Sequence, residues 1–177
     1  NIKAQRYRQG ISFEFEENNF FNGILNYFKS KSEFESEVKI ECSNQYRDSY
    51  GPNNTVLFNE NKYFCSNGDS NSWISFDFKN HRAIPNYYSI KSGPYPQNAH
   101  HPKTWVIEGS NNNKKWDIIS EQDCCPSLNG KNFVCAFPIK NSCSKRFRYI
   151  RMRQTGSNWA NCYFLAIDSF EIFGKLI

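Results

Sequence analysis

The side chains able to do covalent chemistry are few in this sequence and poorly spaced for it. Its only imidazoles are His81, His100 and His101. Neighbouring residues of an extended chain point to opposite faces, so His100 and His101 would not converge on one site. Ser110 follows Gly109, but Glu108 and Asn112 stand where a nucleophile elbow needs glycine, and the segment leads into a hairpin rather than a helix. Gly51, Gly93 and Gly130 stand alone, so no phosphate cradle is present. The carboxylates of Asp77, Glu108, Asp117 and Glu171 fall on separate strand-like segments with no evident pairing. An enzyme needs a nucleophile with a base, paired carboxylates or a metal. The expectation is a noncatalytic protein, without catalytic residues or cofactor.

Seven cysteines (Cys42, Cys65, Cys124, Cys125, Cys135, Cys143 and Cys162) cannot all pair within one chain. Cys42, Cys135 and Cys162 lie within or beside apolar strand-like segments, where a free cysteine acts as a small hydrophobe. No CxxC pair exists, and the vicinal Cys124-Cys125 has no second pair at zinc-finger spacing. Reduced structural thiols and no metal are expected, and a cytoplasmic address follows. The sequon Asn53-Asn54-Thr55 is the one extracellular hint. Glu60, Asp69 and Asp123 are scattered, unlike the carboxylate-rich loop of a calcium-dependent surface binder.

Two constellations suit binding. In RFRYIRMR, Arg146 to Arg153, a strand would place Ile150 and Met152 on one face and Tyr149, Arg151 and Arg153 on the other. Arginine forks hold carboxylates, phosphates or sugar hydroxyls. The alternative is an outward face laced with ion pairs to neighbouring strands. The second constellation is a set of rings and polar side chains between strands: Tyr95, His100, His101, Gln154, Asn158 and Trp159. Rings that stack on a sugar face, beside amides that bond its hydroxyls, make a carbohydrate site. Trp159 would serve equally as a plug closing the end of a core. The candidate ligand-binding residues are Tyr95, His101, Arg151, Arg153, Gln154, Asn158 and Trp159.

These residues need a scaffold, and the sequence predicts strands. Aromatics make up 17% of the chain and Met only one residue, which suits pleated surfaces rather than a helical bundle. SWISFDFK, Ser72 to Lys79, alternates with Ile74, Phe76 and Phe78 on one face. Further strands are expected over residues 11–15, 38–40, 86–92, 104–110, 116–120, 133–139, 146–153 and 164–174. Residues 43–72 are mostly turn chemistry. In NNFFNGILNYF, Asn18 to Phe28, helical spacing of Phe20, Phe21, Ile24, Leu25 and Phe28 predicts a short helix capped by Asn18 or Asn19 and weakened by Gly23. Many short strands with turn-rich loops mean an all-β sandwich or barrel. The expected division is an N-terminal extension over 1–36, its helix packing on the sandwich, and a β-sandwich domain over 37–177.

The net charge of +5 is modest and much of it sits in one strand, so nucleic acid is not expected as a partner. No apolar run is long enough to span a membrane, and no N-terminal apolar leader is evident.

The order of segments carries a resemblance. NSWISFDFKNHRAIPNYYSI, KTWVIEGSNNNKKWDII, RFRYIRMRQTG and SFEIFG resemble, in turn, the Trp-bearing opening, the central hairpin, the penultimate strand and the closing strand of the discoidin-like (coagulation factor V/VIII type C) family. Asn112-Asn113 replaces the usual Asp-Gly turn, and the likeness runs from about Asn53 to Leu176. It implies a jelly-roll, galactose-binding domain-like β-sandwich that binds through loops at one end. RMRQTGSNW and FNGILNY are similar to such domains in trichomonad-type protists, often beside BTB regions. Extracellular relatives tie their ends with a disulfide, and here neither terminal strand segment starts or ends on Cys. The resulting expectation is a noncatalytic interaction module engaging a protein, or a carbohydrate, through end loops that include residues 93–103 and 154–161. The alternative is a structural component of a cytoskeletal or flagellar microtubule assembly in a protist.

Overall fold

The computed structural model describes residues 10–32, 34–58, 61–140 and 144–177. Cys143 and Glu60 lie outside them. The strands are β1 (Ile11–Phe13), β2 (Lys39–Cys42), β3 (Phe64–Cys65), β4 (Trp73–Asp77), β5 (Ala83–Ser92), β6 (Trp105–Ser110), β7 (Asp117–Gln122), β8 (Val134–Pro138), β9 (Tyr149–Gln154) and β10 (Ala166–Leu176). Two short helices, α1 (Ile24–Lys29) and α2 (Phe34–Glu37), precede β2.

The strands form two five-stranded sheets. One runs β1-β10-β5-β8 with β3 also on β10, and the other runs β2-β4-β9-β6-β7. Every pairing is antiparallel. This is an all-β jelly-roll sandwich.

Strand alternation builds the core between the sheets. Ile74 and Phe76, Ile150 and Met152, and Trp105 and Ile107 enter it from the second sheet, and Tyr88, Ile90, Phe170 and Ile172 line the first; all are buried. Phe76 stacks on Phe170 with ring centroids 5.0 Å apart, and Trp105 meets Phe137 edge-on at 5.5 Å. Each such ring contributes about 2 to 3 kcal/mol by leaving water.

The predicted helix begins later than its spacing suggests. Asn18 takes a left-handed turn (φ 70°), and α1 starts after Gly23, with no cap from its own side chains. Glu171 of β10 supplies the cap. Its carboxylate accepts the N–H groups of Gly23 (3.0 Å), Leu25 (2.8 Å) and Asn26 (2.9 Å). Carboxyl oxygens at a helix N-terminus satisfy donors that the helix itself leaves open. Gly23 is needed for the approach, because a Cβ there would lie 2.3 Å from the Ile172 carbonyl oxygen. Burial pushes the Glu171 carboxyl up to about 7, against the N–H donors that pull it down.

Chain direction separates two ends. Ile11 pairs with Leu176 and Ala83 also pairs with Leu176, so both ends of the described chain meet at one end of the sandwich. At the other end Ser92 pairs with Ile167, Cys42 with Ile74 and Gln154 with Trp105. The loops 43–63, 93–104 and 155–165 leave from this second end.

Candidate functional site

Loops rich in Asn, Ser and Tyr crown the second end, and local amide bonds give them shape. The Asn54 side chain donates to the carbonyls of Ser49 (2.8 Å) and Tyr63 (2.9 Å). Asn98 and Asn129 bond reciprocally, with Asn129 accepting the Asn98 N–H at 2.7 Å and donating to its side chain at 2.9 Å. Asn61, Asn98 and Asn161 hold left-handed φ values of 51°, 62° and 58°, a region that asparagine tolerates better than most residues.

Between these loops lies a recess of about 200 Å³, walled by Tyr46, Tyr50, Tyr63, Cys65, Tyr95, His100 and Phe164. Its rings follow one another around the wall. Tyr46 lies 6.1 Å from Tyr50, Tyr50 lies 4.8 Å from Tyr63, and Tyr63 lies 5.5 Å from Tyr95. Tyr95 then lies 5.5 Å from His100, His100 lies 5.3 Å from Phe164, and Phe164 returns to Tyr46 at 5.8 Å. The Tyr95 hydroxyl donates to that of Tyr63 at 2.6 Å. Burial, then hydrogen bonding with Tyr95 and Tyr50, holds the Tyr63 phenol well above the usual tyrosine range. Burial also raises that of Tyr95. Both are neutral hydroxyls near pH 7, able to donate and accept. A neighbouring groove of about 450 Å³ shares Tyr50 and Tyr63 and adds Asp48, Ser49, Asn54, Asn61 and Lys62. Apolar ring faces therefore adjoin a polar trough.

Among the sequence-derived candidates, Tyr95 stands in this recess. His101 lies behind it and is buried, its Nε2 near the carbonyls of Tyr95 (3.1 Å) and Pro96 (3.0 Å). Gln154 is also buried, and among the described residues neither its amide atoms nor His101 Nδ1 has a hydrogen-bond partner. Buried Asn158 pins the 155–165 loop through the Ala160 N–H (2.9 Å) and the Phe164 carbonyl (3.0 Å). Trp159 is half-buried, donates from Nε1 to the Cys125 carbonyl at 3.3 Å and carries the Lys103 ammonium 5.5 Å from its ring.

Arg151 and Arg153 are elsewhere, on the outer face of the second sheet. Both reach Glu108 at 2.7 Å, and the Arg151 guanidinium lies 3.9 Å over Trp116. Burial would raise the Glu108 carboxyl, but bonds and charge from Arg153 and Arg151 outweigh it and hold the group below the usual range. The other carboxylates without evident pairing in the sequence have partners too: Asp77 binds Arg148 through both oxygens (2.7 and 2.9 Å), and Asp117 meets Lys145 at 3.1 Å. Among the described residues no group of three or more His, Cys, Asp or Glu is placed to hold a metal.

Tyr46, Tyr50, Tyr63 and Phe164 are wall residues that sequence reasoning missed. For the three tyrosines the signal was a turn-rich stretch with no long strand to bury them, whereas Phe164, expected to open the last strand, lies in the loop before it, since that strand begins at Ala166.

A two-sheet antiparallel jelly roll with a ring-walled recess among the loops at one end is a galactose-binding-like β-sandwich. The chain belongs to the F5/8 type C domain family, whose model matches residues 39–167, a span that contains every residue of the recess. Among solved structures it is similar to CpGH89CBM32-5 of Clostridium perfringens, in complex with GalNAc-β-1,3-galactose (TM-score 0.62, 9% identity, 78% of this chain and 96% of that one). It is also similar to the family 32 carbohydrate-binding module of C. perfringens NanJ, in complex with galactose (TM-score 0.59, 14% identity, 81% and 96%). A third similar structure is chitosan-binding module 1 from a chitosanase/glucanase of Paenibacillus sp. IK-5 (TM-score 0.57, 12% identity, 78% and 96%). At these identities the likeness concerns the fold. No curated protein matches the chain.

Proposed function

We propose that this chain is a noncatalytic carbohydrate-binding module that takes a glycan in the recess walled by Tyr46, Tyr50, Tyr63, Tyr95, His100 and Phe164. The observation that carries the reading is the ring-lined wall opening beside a polar trough at the loop end. Stacking on C–H faces and bonding of hydroxyls is what a sugar requires, and both are offered within one surface. The sugars bound by the similar structures favour a glycan over the protein segment first expected. Tyr46, 49% exposed, is the ring most open to stacking. Calorimetric titration with a panel of galactose-, N-acetylgalactosamine- and glucosamine-terminated glycans tests this. Saturable heat that disappears in Tyr46→Ala and Phe164→Ala is expected. No heat with any glycan, or equal heat in both variants, would reject it.

A protein partner is the second reading, and a different face favours it. On the outer face of the second sheet Ile118 of the edge strand β7 is 56% exposed, and half-buried Arg151 lies over Trp116 at 3.9 Å and Trp73 at 5.8 Å, tryptophan and arginine being residue types that dominate protein hot spots. The free thiols among the described cysteines fit the cytoplasmic setting expected for such a partner. Capture from the native source that is lost in Ile118→Glu, with glycan binding intact, would support it. Equal capture by that variant would count against it.

A further inference from the structure

Of the six described cysteines, Cys162 stands apart in its surroundings. Its Sγ lies 3.2 Å from Nδ1 of His100, and the Asn158 side-chain amide donates to the same sulfur at 3.3 Å. The other two imidazoles are engaged elsewhere, His81 with Glu37 at 2.8 Å and His101 with backbone carbonyls. The Cys162 thiol also reaches the Asn158 side-chain oxygen at 3.4 Å, and the Cys65 and Cys135 thiols donate to the carbonyls of Ser66 and Ala136. Burial, then neighbouring Cys162, pushes the Cys65 thiol up to about 11, and burial also raises those of Cys42 and Cys135. Those environments keep a thiol protonated and inert.

Both members of the Cys162–His100 pair are held in place. The imidazole is set edge-on against Tyr95 at 5.5 Å and Phe164 at 5.3 Å. Asn158 is wholly buried and fixed by the Ala160 N–H and the Phe164 carbonyl. Cys162 itself is partly exposed. A nucleophile within hydrogen-bond reach of a base, with both oriented by neighbours, is the arrangement that activates a thiol.

We propose that Cys162 is a peroxide-reactive thiol, a site of reversible oxidative modification, with His100 as its base. His100 takes the thiol proton at Nδ1. The sulfur then attacks the terminal oxygen of a hydroperoxide, forming an S–O bond as the O–O bond breaks. The leaving alkoxide, or hydroxide from hydrogen peroxide, takes the proton back from His100. Sulfur is oxidised from thiol to sulfenic acid, and the peroxide is reduced to alcohol or water. The inference stands on the pair and does not rest on the glycan reading.

The test treats the full chain with hydrogen peroxide in the presence of dimedone, which traps sulfenic acids, and follows each cysteine by peptide mass spectrometry. Cys124 is the internal control, since it is the one exposed cysteine among the described residues and none of the three imidazoles is seen bonded to it. Accessibility alone would favour Cys124. The pair predicts labelling of Cys162 about tenfold faster or more. His100→Phe keeps a ring between Tyr95 and Phe164 and should bring Cys162 down to the Cys124 rate, with Cys124 itself unchanged. Cys162→Ala should remove the fast signal. Labelling of Cys124 as fast as Cys162 in the unsubstituted protein would overturn the proposal without any variant, as would an unchanged Cys162 rate in His100→Phe.

Discussion

Tyr95 and Tyr63 meet hydroxyl to hydroxyl at 2.6 Å, which ties the loop after β5 to the loop before β3. That bond links two wall residues of the recess on segments 32 residues apart. Tyr95→Phe keeps the ring and deletes the bond. It should lower stability by about 1 kcal/mol, read from the urea midpoint, and weaken glycan affinity by loosening the wall.

Glu171 gives the fold a pH dependence of unusual sign. Its carboxyl is raised to about 7 in the folded chain, above the ordinary 4.5 of a glutamate. Between those values the native state binds more protons than the unfolded state, so stability falls as pH rises. The contribution is fully present below about 4.5 and is lost as pH rises through about 7. Asp77 and Glu108 shift the other way, so their contributions are present above their unfolded values and fail only on further acidification. Urea midpoints should therefore fall between pH 5 and pH 8, and Glu171→Gln should flatten that fall.

Gly23 packs so closely on β10 that any side chain must move it. Gly23→Ala would bring a methyl to 2.3 Å from the Ile172 carbonyl oxygen, whereas at Gly51 the nearest heavy atom is 3.4 Å away. The first should cost about 2 kcal/mol or more, by displacing α1 from the Glu171 cap, and the second under about 0.5 kcal/mol. Thermal melts of the two variants make the comparison.

How much of this was legible follows the physics of each element. The alternation of Ile74, Phe76 and Phe78 needs only a local period of two, and so β4 could be read directly. The cap on α1 could not, because Asn18 and Asn19 offer the usual local signal while Glu171, 148 residues from Gly23, does the capping. The recess was half legible. Tyr95 in a loop was visible, but its meeting with Tyr63, and that of His100 with Phe164, depends on three loops converging at one end of the sheets, which no spacing records. Arg151 and Arg153 could be placed on an outward strand face, yet choosing between ligand and ion pair required the register that sets Glu108 opposite Arg151.

Glu108 is the buried partner of two guanidiniums on that face. Glu108→Ala should destabilise the fold by about 2 to 4 kcal/mol, because both arginines lose their counter-charge at once. It should leave glycan affinity nearly unchanged, since Glu108 lies outside the recess. Chemical denaturation and calorimetry on the same preparation separate the two effects.

The most direct measurement of the central claim is a two-dimensional NMR titration with galactose, following backbone amides across the chain. The account predicts progressive, saturable shifts concentrated at Tyr46, Tyr50, Tyr63, Tyr95, His100 and Phe164, with Trp73, Trp116 and Arg151 unmoved. Shifts centred on Trp73, Trp116 and Arg151, or none with galactose and with the wider glycan panel, would contradict it.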